Sequence, residues 1–154
     1  MNIVQLTDSN VDMLAEMERK ARVSEPDVFF GKFDEVGFAS KTLSALNDPA
    51  YASAACLMCV DDEHGAIGRL DYVLLPSYAF GGDVRVYVDW IYVLKEHRHR
   101  GIARVLFDAM EDQMRAKGIG EYFLTMAKNE EAQRFYRSFA GAKIENHDML
   151  AKEV

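Results

Sequence analysis

The segment Val93-Leu-Lys-Glu-His-Arg98-His-Arg-Gly101-Ile-Ala103 links an apolar, β-rich run to an amphipathic helix. In residues 84–93, the alternation of side chains predicts a strand that places positions 84, 86, 88, 90 and 92 on one face. Apolar residues then recur at helical spacing from Ile102 until Lys117-Gly118, which predicts a helix over 102–117. The first N–H groups of a helix have no intrahelical partner and carry the positive end of its dipole. Strand, loop and helix in this order therefore predict a loop whose backbone binds phosphate.

The rest of the chain supplies strands and helices in an order typical of an α/β fold. A first helix is expected after a cap at Asp8 or Ser9, with these residues inward: Val11, Leu14, Ala15 and Ala21. Residues 23–37 are expected to form a loop. A second helix is expected from residue 38 to the Asn47-Asp-Pro49 stop, and its inward residues would be Phe38, Ala39, Thr42, Leu43 and Leu46. Further strands are predicted near 2–6, 52–60, 66–75, 121–126 and 143–151, and a last helix over 129–139. This order predicts a mixed sheet, antiparallel first and parallel later, with helices on both faces.

A second motif lies downstream, in Asn129-Glu-Glu-Ala132-Gln-Arg-Phe135-Tyr136. With Arg98-His-Arg-Gly101-Ile-Ala103, which fits the pattern Gln/Arg-x-x-Gly-x-Gly/Ala, it makes the chain resemble the GCN5-related N-acetyltransferase (GNAT) superfamily. The chain differs from the family at His99, where glycine is frequent, and at Ala140-Gly141, where Gly-Phe is frequent. The resemblance implies a GNAT-like α/β fold with a mixed six- to seven-stranded sheet, and we expect residues 1–154 to form a single acetyltransferase domain.

The resemblance implies acetyl-CoA as the co-substrate. Backbone groups of Tyr92 and Val93 would bind its pantetheine arm where their strand separates, beside a β-bulge, from the strand that ends near residue 126. Loop N–H groups would bind the pyrophosphate, and the residues concerned are Arg98, His99, Arg100, Gly101, Ile102, Ala103 and Arg104. Side chains of Arg98 and Arg100 would add contacts to phosphate, and a solvated basic turn is the structural alternative.

Two residues of the last helix would complete the site by the same resemblance. Asn129 would cap the helix and bond to the cofactor's amide arm, although capping alone would explain an asparagine there. Tyr136 would donate a proton to the departing thiolate, and the alternative is a core aromatic with its hydroxyl at the rim. An amine with a pKa of about 10.4 arrives as ammonium and must lose a proton before it attacks the thioester. Asp89, expected on the strand face of Ile91 and Val93, is the predicted general base, with a charge on the sheet rim as the alternative.

Composition limits the function classes. Of the 154 residues, 49% are hydrophobic and 28% charged, which suffices for a core, and no apolar run is long enough to span a membrane. The N-terminal sequence lacks the pattern of a secretory signal, so we expect a cytoplasmic protein. A net charge of −7 argues against a nucleic-acid surface, and the basic cluster within 95–104 suits one polyanionic cofactor. The acidic remainder either attracts a cationic amine or only aids solubility.

Two other patterns predict structure rather than chemistry. Cys56 and Cys59 lie three residues apart in a predicted strand and so point to opposite faces, which favours buried structural thiols. A redox pair or a zinc site is the alternative, but the sequence has no second cysteine pair to complete a tetrahedral site. The run Asp61-Asp-Glu-His64-Gly65 is expected to form a solvated hairpin turn, and we assign no metal.

The acceptor is the part of the reaction for which the sequence shows no motif. Aromatic residues could wall an apolar pocket or serve as ordinary core and loop anchors, namely Phe29, Phe30, Phe33, Phe38, Tyr78 and Phe80. Antibiotics, polyamines, amino acids and protein N-termini or lysines remain open, and acidic residues favour a small cationic molecule, namely Glu25, Asp27, Asp34 and Glu35. A catalytically idle acyl-CoA sensor or interaction domain is the alternative to an enzyme. Dimers are common in the family, so a homodimer also remains open.

Overall fold

The computed structural model describes residues 1–29, 31–145 and 152. The strands are β1 (Asn2–Gln5), β2 (Ala54–Asp61), β3 (Gly65–Pro76), β4 (Val84–Val93) and β5 (Tyr122–Leu124). The α-helices are α1 (Val11–Ser24), α2 (Glu35–Leu46), α3 (Ile102–Ala116) and α4 (Glu130–Arg137). Two compact units divide the chain: Met1–Leu124 contains the sheet and the first three helices, and Thr125–Val154 contains α4.

The sheet is mixed, as predicted. Strands β1 to β4 pair antiparallel in chain order, and β5 pairs parallel with β4. Five of the predicted strands are present, each within two residues of its predicted ends. The count of six to seven is wrong for the described residues, which form five strands. The strand expected over 143–151 is absent from 143–145, where charged residues favour a strand weakly, and 146–151 lie outside the described residues.

Helices cover both faces of the sheet, which confirms that part of the prediction. A Cβ added at Gly68 of β3 would lie 2.8 Å from Ile102 Cγ2, so this face packs against α3. The next residue, Arg69, donates to Glu18 of α1 at 2.5 Å. Successive strand residues point to opposite faces, so α1 and α3 lie on opposite sides of β3. The largest fully buried side chains of the core include Phe107, Met110, Leu106, Leu70, Leu57 and Met17.

The first helix begins differently from the prediction. A 3-10 turn over Asp8–Asn10 precedes α1, and the N–H of Thr7 donates to Asn10 Oδ1 at 2.8 Å. The expected cap at Asp8 or Ser9 is therefore wrong, because this turn, not a serine or aspartate cap, leads into Val11. The residues predicted to face inward are all buried: Val11, Leu14, Ala15 and Ala21.

The second helix is longer and more exposed than predicted. It begins at Glu35, since the Asp34 carboxylate accepts the N–H of Gly37 at 3.0 Å and caps the first turn. No described residue of α2 is buried, and Leu43 and Leu46 are 42% and 38% exposed. The prediction that these two leucines face a core is wrong.

The cysteines and the acidic turn have structural surroundings. Cys56 and Cys59 are buried and free. In the sheet they lie opposite Asp71 and Gly68 of β3, so their side chains point to opposite faces, as predicted. Burial raises the pKa of both thiols. Asp61 closes the turn between β2 and β3 by accepting the N–H groups of Glu63 and His64 at 3.0 and 3.2 Å. Among the described residues, no cluster of three potential metal ligands occurs. In the same part of the chain, no helix is both long enough and apolar enough to cross a membrane.

Candidate active site

Strand β4, which leads into the loop, carries a bulge at Asp89. Trp90 pairs with Asp71 of β3 and Val88 pairs with Tyr72, so Asp89 has no residue opposite it. Paired residues share a face of a sheet, and the bulge therefore shifts the alternation of β4 by one residue. Asp89 itself is exposed.

The bulge changes which side chains of β4 face each helix. Trp90 and Tyr92 lie on the α1 face, and the Tyr92 hydroxyl reaches Glu25 at the end of α1. The prediction that all even positions from 84 to 92 share one face is therefore wrong beyond Val88, since a strict period of two ignores the inserted residue. For the same reason, the alternation no longer places Asp89 on the face of Ile91 and Val93.

The pairing of β4 with β5 ends beside this bulge. Their parallel pairing covers Val86 to Val88 and ends where Val88 meets Leu124. Beyond Asp89, no described strand pairs with this edge of β4. The pairing thus ends beside a bulge, and because β5 itself ends at Leu124, the predicted separation of two continuing strands stays a prediction.

The loop ends in a run of N–H groups at the start of α3. The N–H groups of Arg100, Gly101, Ile102 and Ala103 have no hydrogen-bond acceptor among the described residues. Gly101 has φ of 77°, and a Cβ added there would meet nothing within 4 Å. His99 has φ of 60°, a conformation that glycine adopts without strain, which fits the glycine frequent at this position in the family.

Arg98 holds the loop to the end of α1. Its Nε donates to the Val93 carbonyl at 3.1 Å, its Nη1 donates to Glu25 Oε1 at 3.1 Å, and its Nη2 also pairs with Glu25. The Tyr92 hydroxyl donates to the same carboxylate at 2.5 Å. Burial by itself raises the pKa of Glu25, but hydrogen bonds from Arg98 and Tyr92 outweigh it and leave the pKa below its ordinary value. The Arg98 side chain, predicted to contact phosphate, is thus engaged by protein groups.

Gly68 positions the start of α3, and sequence reasoning missed it. Ile102 Cγ2 and Leu106 Cδ1 would lie 2.8 and 3.3 Å from a Cβ at this position. The missing side chain therefore lets the first turn of α3, and the N–H groups it carries, rest directly on β3. A glycine inside an otherwise regular strand pattern indicates such a close approach and was the available signal.

The second unit holds Asn129 and Tyr136. The Asn129 side-chain oxygen accepts the N–H of Ala132 at 2.8 Å and caps α4, as predicted. The ring of Tyr136 is half-buried and packs with Phe135 and Phe139, at centroid distances of 5.3 and 6.4 Å. Burial raises the pKa of Tyr136, which keeps the phenol protonated at neutral pH.

Residues 15–142 match the model of the Acetyltransferase (GNAT) family. The chain belongs to this GNAT family. The match includes both sequence motifs, Gly68 and the bulged strand, so the geometry described above is that of a GNAT chain. A comparison with curated proteins gives no match.

Several solved structures share the GNAT fold over almost the whole chain. A ribosomal-protein-alanine N-acetyltransferase from Brucella melitensis biovar Abortus 2308 is 20% identical and has a TM-score of 0.74. The alignment covers 99% of this chain and 100% of that one. An aminoglycoside acetyltransferase from an uncultured soil metagenomic sample, in complex with sisomicin, is 18% identical and has a TM-score of 0.80. The alignment covers 99% of this chain and 95% of that one. A Trypanosoma brucei acetyltransferase is 17% identical, with a TM-score of 0.71 covering 99% of each chain. At these identities the likeness shows the fold alone.

Most of the carboxylates that favoured a cationic acceptor for this GNAT chain are engaged by protein groups. Glu25 binds Arg98, and Asp34 caps α2. Glu35 accepts from Arg19 Nε at 3.3 Å. Two of these carboxylates are thus paired with arginines and the third caps a helix, which weakens the charge argument for a cation.

The aromatic residues predicted as pocket walls have different surroundings. Phe29 and Phe33 line a pocket at the end of α1, and Phe38 packs on Phe33 with 5.5 Å between centroids. Tyr78 is fully exposed. Phe30 and the side chain of Phe80 lie outside the described residues.

Proposed function

We propose that this GNAT chain is an N-acetyltransferase that moves an acetyl group from acetyl-CoA to a primary amine by direct attack in a ternary complex. The observation that carries the proposal is the run of N–H groups from Arg100 to Ala103, which lack acceptors among the described residues and lie at the start of a 15-residue helix. Such a run stabilises a polyanion through hydrogen bonds and the helix dipole. The open space at Gly101 leaves room for the pyrophosphate to approach the backbone.

The edge of β4 suits an amide-bearing arm. Tyr92 and Val93 follow the bulge, where no described strand pairs with β4 on the β5 side. A pantetheine arm carries amide groups that can pair with such an edge as an added strand would. The proposed cofactor contacts are therefore made by the backbone of Tyr92 and Val93 and by the loop N–H groups, with the exposed Arg100 side chain near phosphate. Arg98 positions the loop through Glu25.

Three side chains are proposed to act in the reaction. When bound, acetyl-CoA supplies an activated thioester. Tyr136 would hold a proton on its hydroxyl for the departing sulfur, and the raised pKa of its buried phenol supports that role. Asp89, exposed at the bulge, would accept the proton that the acceptor ammonium must lose. Asn129 would add a contact to the amide arm beyond its role as a cap.

The identity of the amine acceptor has to be inferred from this chain's own residues, because the fold does not specify it. One similar structure is named a ribosomal-protein-alanine N-acetyltransferase, after a protein acceptor. Another is named an aminoglycoside acetyltransferase, after a small-molecule acceptor. The sequence-based preference for a small cation rested on carboxylates that the protein engages itself. The proposal takes residues 1–154 as one acetyltransferase domain acting on a small-molecule amine, and acetylation of a protein amine is the competing outcome.

The test is release of coenzyme A thiol from acetyl-CoA, measured with and without amines. Amine-dependent release is the expected result. Slow release that no amine accelerates would instead identify a catalytically idle acyl-CoA domain. Tyr136→Phe should lower kcat more than it weakens acetyl-CoA binding, whereas the matched change Tyr78→Phe, at a fully exposed tyrosine, should alter neither. Unchanged turnover in Tyr136→Phe would remove the general-acid role.

A further inference from the structure

A pocket of about 480 Å³ opens at the C-terminal end of α1. Two arginines and several apolar residues line it, including Arg19, Arg22, Val23, Pro26, Phe29 and Phe33. Phe29 also packs edge-on against Tyr92 at 5.3 Å and lies 6.3 Å from Trp90. The pocket therefore borders the part of β4 that is proposed to hold the pantetheine arm. No carboxylate is among the described residues that line it.

Arg22 is fixed along one edge of its guanidinium group. Its Nη1 pairs with Glu18, which is only 5% exposed and also accepts from Arg69 at 2.5 Å. The guanidinium carbon lies 4.7 Å from the centroid of Phe29 and 4.5 Å from that of Phe33. The other N–H groups of Arg22 have no acceptor in the described part of the chain. An arginine held by an internal carboxylate and aromatic rings, with donors left over, is arranged to bind a second carboxylate.

Arg19 adds a second positive charge to the lining. Its Nε lies 3.3 Å from Glu35 and its Nη2 lies 4.0 Å from Glu16, and the side chain is 47% exposed. Arg19 is thus paired with carboxylates that do not line the pocket, and Arg22 is the lining arginine that keeps open donors. Both charged side chains among the described lining residues are arginines, although the whole chain carries a net charge of −7.

We propose that the pocket selects a primary amine that also carries a carboxylate, with Arg22 as the specificity-determining residue. This inference rests on the proposed acetyltransferase function and names its acceptor class. The carboxylate pairs with the open N–H groups of Arg22, and the apolar part of the molecule packs on Phe29 and Phe33. The acceptor class is thus a small zwitterion of the amino-acid type, and a polyamine or another simple cation is disfavoured by like charge.

Matched pairs of amines that differ by one carboxylate test the inference. Ornithine is compared with putrescine, and phenylalanine with phenethylamine, each titrated into the protein in the presence of coenzyme A. The chain has one tryptophan, Trp90, which is 39% exposed and borders the pocket through Phe29, so its fluorescence reports binding without turnover. The carboxylated member of each pair should bind at least about tenfold more tightly, as a charge-assisted pair would give.

Variants separate the role of Arg22 from general charge effects. Arg22→Gln should abolish the preference within each pair, and Arg22→Lys, which keeps the charge but not the planar donors, should retain part of it. Arg115→Gln is the matched control, because Arg115 is 63% exposed on α3 and its loss changes the net charge equally. The preference should be unchanged in that control. Each variant is first shown to keep its thermal shift with acetyl-CoA, which checks both the fold and the cofactor site.

Three results would overturn the inference. These are equal or tighter binding of putrescine and phenethylamine, a preference that survives Arg22→Gln, and a Trp90 signal that none of the four amines changes while acetyl-CoA still raises the thermal midpoint. A protein that neither shifts with acetyl-CoA nor releases thiol with any amine would instead contradict the proposed function itself.

Discussion

Replacement of Glu25 by glutamine should loosen the loop that carries the anion site. Glu25 accepts two bonds from Arg98 and one from Tyr92, and its side chain is 14% exposed. The glutamine side chain keeps one acceptor oxygen, but its NH₂ group replaces the other oxygen and faces an N–H donor of Arg98, so one hydrogen bond is lost. Removal of one member of a fully buried ion pair costs about 3–5 kcal/mol, and we expect about 2 kcal/mol here because Arg98 is 26% exposed.

The assay is thermal unfolding of Glu25→Gln beside the wild type. At roughly 2–4 °C per kcal/mol for a domain of this size, the midpoint should fall by about 4–8 °C at neutral pH. Acetyl-CoA should also bind more weakly, since binding must then order a loop that Glu25 no longer holds. Asp62→Asn, at an exposed aspartate in the turn between β2 and β3, is the control and should leave both quantities unchanged.

The stability difference between wild type and Glu25→Gln should depend on pH in a direction that a nonspecific effect would not produce. Because the pKa of folded Glu25 lies below its ordinary 4.5, its stabilisation is complete above pH 4.5 and is lost as the pH falls through the lower folded-state value. The difference between wild type and Glu25→Gln should therefore shrink in acid. A variant midpoint within about 1 °C of wild type at neutral pH, or a drop matched by Asp62→Asn, would refute the reasoning.

Three further predictions concern the same loop. Gly68→Ala places a Cβ 2.8 Å from Ile102 Cγ2, so it should lower the midpoint and weaken acetyl-CoA binding, as measured by unfolding and calorimetry. His99→Gly removes the strain of a φ of 60°, about 1–2 kcal/mol, and the freer unfolded chain of glycine offsets about 0.4–1 kcal/mol of this gain, so the midpoint should rise by about 1–3 °C. A lower midpoint would contradict this reasoning. Burial lowers the pKa of His97 from 6.5, so stability should fall as the pH drops below 6.5, where the unfolded chain takes up the proton first. His97→Gln should flatten that part of the stability profile in denaturant titrations between pH 5 and 7.

Periodicity predicted the elements of this chain better than the faces of its bulged strand. The ends of β4 were predicted correctly because valines alternate with more polar residues from Val84 to Asp89 and the run stays β-rich to Val93. The four residues after Asp89 are all hydrophobic, so their pattern does not show that the bulge reverses the faces of Trp90 and Tyr92. A bulge is specified by pairing with a neighbouring strand, and pairing is not visible in one segment alone.

The backbone of the site was easier to predict than its side chains. The glycine and the helix start identified the loop, because unpaired N–H groups follow from any helix N-terminus. The partner of Arg98 was not predictable, since Glu25 lies 73 positions earlier in the chain and meets Arg98 only through packing of α1 against the sheet. The same residue had been assigned to attract a cation, which shows how a tertiary ion pair changes the meaning of a charge in the sequence.

The most direct test of the account is the thermal shift with saturating acetyl-CoA in three proteins. The wild type is compared with Gly101→Ala and Gly118→Ala, because both glycines have positive φ, 77° and 70°, and neither has an atom within 4 Å of an added Cβ. Both variants should lose similar stability through strain, but Gly101 alone lies in the loop. At about 100 times the dissociation constant, acetyl-CoA stabilises by roughly 2.7 kcal/mol, so the midpoint should rise by about 5–10 °C in wild type and in Gly118→Ala and by clearly less in Gly101→Ala. No shift in the folded wild type at millimolar acetyl-CoA, or equal shifts in all three proteins, would contradict the assignment of this loop as the cofactor site.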